Sequence, residues 1–179
     1  MRPITIVRGD ITKLPSELHV DCIVNAANAA LQAGGGVCGS IFSAAGDQVL
    51  SAACQEVGPC EAGDSRITPG FNLTQQGINY IVHAVGPVYH HYGPAEAQRL
   101  LRSAYQSALR LAAEHGVAKI AFPLISSGIY GYPFDEAVAV AIKAIQEAEV
   151  APPSVVMVAF DDETFAALST AVNAKGLNE

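Results

Sequence analysis

Apolar residues fall into short runs separated by glycine, proline and polar residues, and the length and period of each run set the elements expected along the chain. Ile4 to Val7 is β-branched and ends at Gly9-Asp10, which predicts a first strand and its exit loop. Val20 to Val24 is apolar almost without interruption, as in a strand buried on both faces of a parallel sheet. From Ser40, the residues Ile41, Ala44, Ala45, Val49, Ala52 and Ala53 recur at helical spacing and predict a helical unit that Gly58-Pro59 ends. Arg66 to Thr68 fits a short edge strand, and Tyr80 to Val85 a buried strand stopped by Gly86-Pro87. Ala95 to His115 reads as a long amphipathic helix, with Leu100, Leu101, Ala104, Ala108, Leu111 and Ala112 on one face and Gly116 as its stop.

Lys119 to Ile125 gives a further strand, Ser126 to Pro133 a loop, and Asp135 to Glu149 a helix whose first two residues suit the helix dipole. Ser154 to Phe160 is the last strand, and Asp162 to Lys175 a final helix ending at Gly176. Strands alternating with helices of these lengths predict a three-layer α/β/α sandwich around a mostly parallel mixed sheet, with residues 1–179 forming a single domain.

Composition narrows the choice of function. The 179 residues are 50% hydrophobic and 15% charged, enough for one substantial core. No run approaches the roughly 18 apolar residues of a membrane-spanning helix, and Met1 to Asp10 lacks the pattern of a secretory signal, so a cytoplasmic monomer is expected. The four cysteines, at 22, 38, 54 and 60, form no C-x-x-C pair and are expected to stay reduced. A formal charge of −7 argues against direct nucleic-acid binding, which needs clustered Lys and Arg. One small phosphorylated ligand, held by backbone N–H groups, remains compatible with that charge.

The chemistry-bearing stretch runs from Asn25 to Gly46 and joins an apolar run to the amides Asn25 and Asn28, the glycines Gly34, Gly35 and Gly36, and a helix start. It contains no lysine, arginine or carboxylate, so any anion here is met by backbone amides, helix dipole and side-chain amides. Ser126-Ser-Gly-Ile-Tyr-Gly-Tyr-Pro133 repeats the situation, with a strand, a glycine-containing turn and a helix start. Taken singly, either loop is an ordinary glycine turn; in a parallel sheet both lie at the carboxyl ends of strands and can meet over one crevice. Asp10 either accepts from an exocyclic amine or closes an Asx-turn, and the two asparagines either meet ribose hydroxyls and a water or bond their own backbone.

Other motifs carry less. Gly34-x-Gly36-x-x-Gly39 matches a dinucleotide fingerprint formally, but Asn25 to Ala33 intervenes after the strand and no suitable acid follows. The chain has no P-loop lysine motif. Cys38 before a helix start would need a base to act as a nucleophile, with His83 the candidate, although a histidine inside an apolar strand is more often a core residue. His90-His91 and the scattered cysteines lack zinc spacing, and no metal or cofactor is expected.

Five segments in order resemble the macrodomain family of ADP-ribose-binding modules and hydrolases: Val7 to Leu14, Asp21 to Asn28, Gly34 to Val37 with Ala44 to Gly46, Tyr80 to Pro87, and Ile120 to Pro133. The chain looks most like the MacroD-type branch, whose members remove ADP-ribose from acidic side chains and deacetylate O-acetyl-ADP-ribose. The resemblance implies that Asp10 and the Ile11 amide bind adenine, that Phe160 packs on its face, and that Asn25 belongs to the binding set. Diphosphate would be held by the amides of Gly36 and Val37 on one side and of Ser127, Gly128, Ile129 and Tyr130 on the other, with Gly34, Gly35 and Ser126 also in the binding set. Asn28 and Tyr130 would orient the distal ribose, with Asn28, Gly35 and Cys38 as the catalytic set. ADP-ribosylated proteins would be partners.

Two residues depart from the MacroD-type pattern: Cys38 stands where an aspartate is common, and Phe42 where a histidine is. The resemblance therefore implies ester hydrolysis by a water that a substrate phosphate deprotonates, with a non-catalytic ADP-ribose reader as the alternative. A regulatory partner of RNA-processing enzymes, proposed for related bacterial proteins, finds no specific support in the acidic composition.

Overall fold

The computed structural model describes residues 2–174. Six strands, β1 (Ile4–Arg8), β2 (Cys22–Ala27), β3 (Ser65–Pro69), β4 (Tyr80–Val85), β5 (Lys119–Phe122) and β6 (Ser154–Ala159), form one sheet in the order β1-β6-β5-β2-β4-β3. All neighbours run parallel except β3, which pairs antiparallel with β4 at the edge. Among the described residues the five α-helices are α1 (Gly36–Ala45), α2 (Asp47–Val57), α3 (Pro94–Glu114), α4 (Phe134–Glu147) and α5 (Asp162–Ala174). Lys175 and Gly176, expected to close the last helix, lie outside the described residues.

Successive strand residues point to opposite faces, so the near-continuous apolar runs feed two cores. Val24, Val82, Ala84 and Met157 pack under α3, α4 and α5 with Leu101, Tyr105 and Ile142. Ile23, Ile81, Ala121 and Val156 pack on the other face with Ile41 and Phe42 of α1 and Leu50 of α2. This is the expected mixed sheet between two helical layers.

Two departures from the expected boundaries shape the site. The helical unit read from Ser40 is two helices, because Gly46 stands at φ 106°, outside helical geometry, and its N–H closes on Phe42 O at 3.0 Å while Leu50 N–H bonds Gly46 O. A Cβ there would lie 3.1 Å from Val49 Cγ2 and 3.2 Å from Asn72 Nδ2. The second strand runs on to Ala27 because β4 pairs with it through Ala27↔Val85. That extension places Asn25 inside the sheet. Elsewhere β5 ends at Phe122 rather than Ile125, where Pro123 has no N–H to continue the ladder.

Candidate functional site

The carboxyl ends of β1, β6, β5 and β2 open onto one crevice of about 340 Å³. Asp10, Ile11, Gly36, Val37, Ser127, Gly128 and Phe160 all line it. Gly9, Ser40, Pro123, Leu124, Val158, Asp161 and Thr164 line it as well and were not read from the sequence. Three had a signal: Val158 alternates with Phe160 along one strand face, and Asp161 with Thr164 has the spacing of a helix N-terminal cap. Asp161 Oδ1 accepts from Thr164 N at 2.8 Å, which holds its carboxyl below the usual range.

At the β1 end, Asp10 Oδ1 takes both the Thr12 amide (2.9 Å) and the Thr12 hydroxyl (2.7 Å). The side-chain bond from Thr12 is the main cause that keeps the Asp10 carboxyl ionised to lower pH than usual. Both readings of Asp10 are thus compatible: Oδ1 makes the Asx-turn, and Oδ2 has no hydrogen-bond partner among the described residues. Phe160, 71% exposed, stands at the end of β6 beside it.

In the middle of the crevice the two glycine loops supply donors. Gly36 begins α1 at φ +57°, and its amide with those of Val37 and Cys38 belongs to the first helical turn, where N–H groups have no intrahelical acceptor. Gly39 must be glycine, since a Cβ would sit 2.5 Å from Gly34 O. Across the crevice, the amides of Ser127, Gly128, Ile129 and Tyr130 donate to no group among the described residues. That loop is held from below and behind. Ile125 N–H donates to the buried Tyr105 hydroxyl at 2.9 Å, and Ser126 Oγ donates to Pro87 O at 3.0 Å. Ser126, at φ 69° and 8% exposed, is a brace for the loop and is covered from the crevice. Ile129 is 99% exposed at the loop tip.

None of the crevice-lining residues is lysine or arginine, and the two carboxylates, Asp10 and Asp161, sit together at the β1/β6 end. Charge therefore has a direction here: an anionic group is driven from the carboxylate end toward the amides and the positive end of α1.

Asn28, Gly34 and Gly35 lie on the first loop and Cys38 in the first turn of α1, and none of the four is among the residues that line the crevice. Asn28 Nδ2 donates to Gln32 O (2.9 Å) and Asn28 Oδ1 accepts from Gln32 N (3.0 Å), which closes the loop and leaves one N–H and one lone pair of the amide. The Cys38 thiol, 7% exposed, donates to Gln32 O at 3.6 Å. Asn25 does not reach the crevice. It is 1% exposed, its Nδ2 lies 3.1 Å from His83 Nδ1 and 3.6 Å from Cys38 Sγ, and its Oδ1 is buried without a partner. The extended strand is the reason: Asn25 alternates with Ile23 onto the face that α1 covers.

A Cys38–His83 dyad is not formed, because the Asn25 amide stands between them. Burial also pushes the His83 imidazole down to about 4, so it is neutral near pH 7, with Nε2 spent on Thr68 Oγ1 at 3.0 Å. Phe42, 1% exposed, fills the core beneath α1.

Fold and site together define a class: an α/β module with two sets of free backbone amides at one crevice across the ends of parallel strands. Residues 24–141 match the Macro domain family, and the chain belongs to it. The chain is 46% identical over 165 residues to a protein of Fusobacterium nucleatum, covering 90% of each. It is 42% identical over 171 residues to a protein of Enterobacter cloacae named O-acetyl-ADP-ribose deacetylase, covering 92% of this chain and 91% of that one. A mutant macrodomain of Oceanobacillus iheyensis, solved with ADPR, superposes with TM-score 0.83 at 36% identity, covering 95% of this chain and 91% of that one.

Proposed function

We propose that the crevice binds ADP-ribose, with adenine between Asp10 and Phe160, diphosphate on the Gly36–Val37 and Ser127–Tyr130 amides, and the distal ribose toward Asn28 and Tyr130. The observation that carries this reading is that Gly36 and Val37 on one side and Ser127 and Gly128 on the other, with amides that have no internal acceptor among the described residues, line one crevice whose lining has no cation and keeps its carboxylates at one end. The named deacetylase relative and the ADPR-bound neighbour support the same ligand.

We further propose that the bound ligand is an ester at the distal ribose and that it is hydrolysed. Water is held by the remaining capacity of Asn28 and by the Gly35-Gly36 backbone, and a phosphate oxygen of the substrate takes its proton. Its hydroxyl joins one fragment of the cleaved ester and its hydrogen the other, giving ADP-ribose and a free carboxylic acid. Positioning on rigid amides supplies the acceleration without a protein base. The neutral, screened His83 supports this base-free route.

A non-catalytic reader is the second reading, and Cys38 favours it: the thiol offers no carboxylate to the water and is turned onto Gln32 O. Calorimetric titration with ADP-ribose tests binding, and absence of heat and of any thermal shift ends the whole proposal. Release of ADP-ribose from an Asp- or Glu-modified protein tests catalysis. If the parent is silent while Cys38→Asp gains large turnover at unchanged affinity, the chain is a reader.

A further inference from the structure

The loop after β4 lies at the exit of the proposed ribose end and matches nothing in the binding scheme above. Strand order fixes its place. A ligand with adenine at β1/β6 and diphosphate between the β5 and β2 loops has its distal ribose at β2, and β4 is the next strand outward. Whatever is attached to that ribose emerges over the loop of residues 86–93.

That loop is fastened to the second amide loop at four points. Tyr89 N–H donates to Tyr130 O at 2.9 Å, and Pro87 O accepts from Ser126 Oγ at 3.0 Å. The Tyr89 ring stands edge-on to Tyr132 with centroids 4.9 Å apart, and His90 lies against Gly131, whose added Cβ would be 3.6 Å from His90 Cδ2. Tyr89 in turn holds the His90 ring edge-on at 5.2 Å. The outcome is a fixed shelf with His90, His91 and Tyr92 exposed on it.

Residues 86 to 95 contain no carboxylate, although the protein carries a formal −7. The ring nitrogens of His90 and His91 make no hydrogen bond among the described residues, and Tyr92 keeps 38% of its surface exposed. Imidazole N–H and phenol O–H groups exposed on such a shelf complement peptide carbonyls and carboxylates.

We infer that this shelf binds the polypeptide that carries the ADP-ribose, and that it selects segments with further acidic residues beside the modified one. The inference rests on the ADP-ribose reading of the crevice. It makes His90, His91 and Tyr92 specificity residues for the modified protein, with no part in holding ADP-ribose itself.

The test compares two probes by calorimetry: free ADP-ribose, and an acidic peptide joined to ADP-ribose at the distal ribose through a hydrolysis-resistant amide. The parent should hold the conjugate at least tenfold more tightly. The triple variant H90A/H91A/Y92A should hold both probes alike, with its ADP-ribose affinity within about twofold of the parent. Should the triple variant melt early, H91A/Y92A leaves His90 on Gly131 and should still lose most of the preference. A conjugate with its flanking acids changed to amides should lose most of the preference on the parent. Equal affinity of the parent for both probes, an undiminished preference in either variant, or an unchanged preference for the amide-flanked conjugate overturns the inference. A parent that binds free ADP-ribose without preferring the conjugate defeats only the shelf, whereas a parent blind to ADP-ribose defeats the crevice reading too.

Discussion

Replacing Asp10 by Asn should convert the crevice from recognising adenine to recognising a base that carries a carbonyl at the same position. Asp10 Oδ1 is committed to Thr12 through two bonds of 2.9 and 2.7 Å, and asparagine keeps that acceptor, so the Asx-turn survives. The change falls on Oδ2, which becomes an NH₂ facing the adenine amine, donor against donor. A hydrogen bond to a charged group contributes about 1.5–3 kcal/mol, so the ADP-ribose dissociation constant should rise about 10- to 100-fold. The hypoxanthine analogue, which offers an oxygen there, should lose little or gain. The assay is calorimetry of parent and Asp10→Asn with both ligands, and thermal melting should show the variant folded with little change. If Asp10→Asn binds the two ligands in the same ratio as the parent, Asp10 does not touch the base and serves the turn alone.

Three further outcomes are expected. His83 has its pKa lowered from 6.5 to about 4 by burial, so below pH 6.5 the unfolded chain takes up a proton that the folded chain refuses. Folding stability should therefore be full above pH 6.5 and fall by about 3 kcal/mol toward pH 4, a drop that urea melts of His83→Gln should lack. Gly39→Ala drives a methyl to 2.5 Å from Gly34 O and should cost about 1–3 kcal/mol of stability while also weakening ligand binding, read by melting and calorimetry together. Phe160→Ala removes a side chain 71% exposed, so the melting temperature should hardly move, yet loss of about 1–3 kcal/mol of base stacking should weaken ADP-ribose roughly tenfold or more.

Asp10, Gly36, Val37, Ser127 and Gly128 were legible at one crevice because strand ends and glycine turns are written locally and parallel strands bring those ends to one side, whereas Phe160 was reached only through the family resemblance. The two asparagines were not separable in sequence. Asn25 and Asn28 sit three residues apart in the same motif, but pairing with β4 carries the strand past Asn25 and buries it against His83, leaving only Asn28 on the loop. Gly46 likewise hid a helix break, because its φ of 106° answers to neighbours from outside the helix, Asn72 among them.

By itself the sequence determined the order and approximate place of the strands and helices, though not the break at Gly46, and that an anion here must meet amides instead of cations, since each of these depends on residues a few positions apart. Only the tertiary structure decided that His83 is screened from Cys38 by Asn25, that Tyr105 and Pro87 brace the second loop, and that the loop after β4 forms a shelf at the ribose end. Those facts join residues 13 to 58 positions apart, and which distant groups share a buried volume is set by packing of the whole sheet between its helical layers.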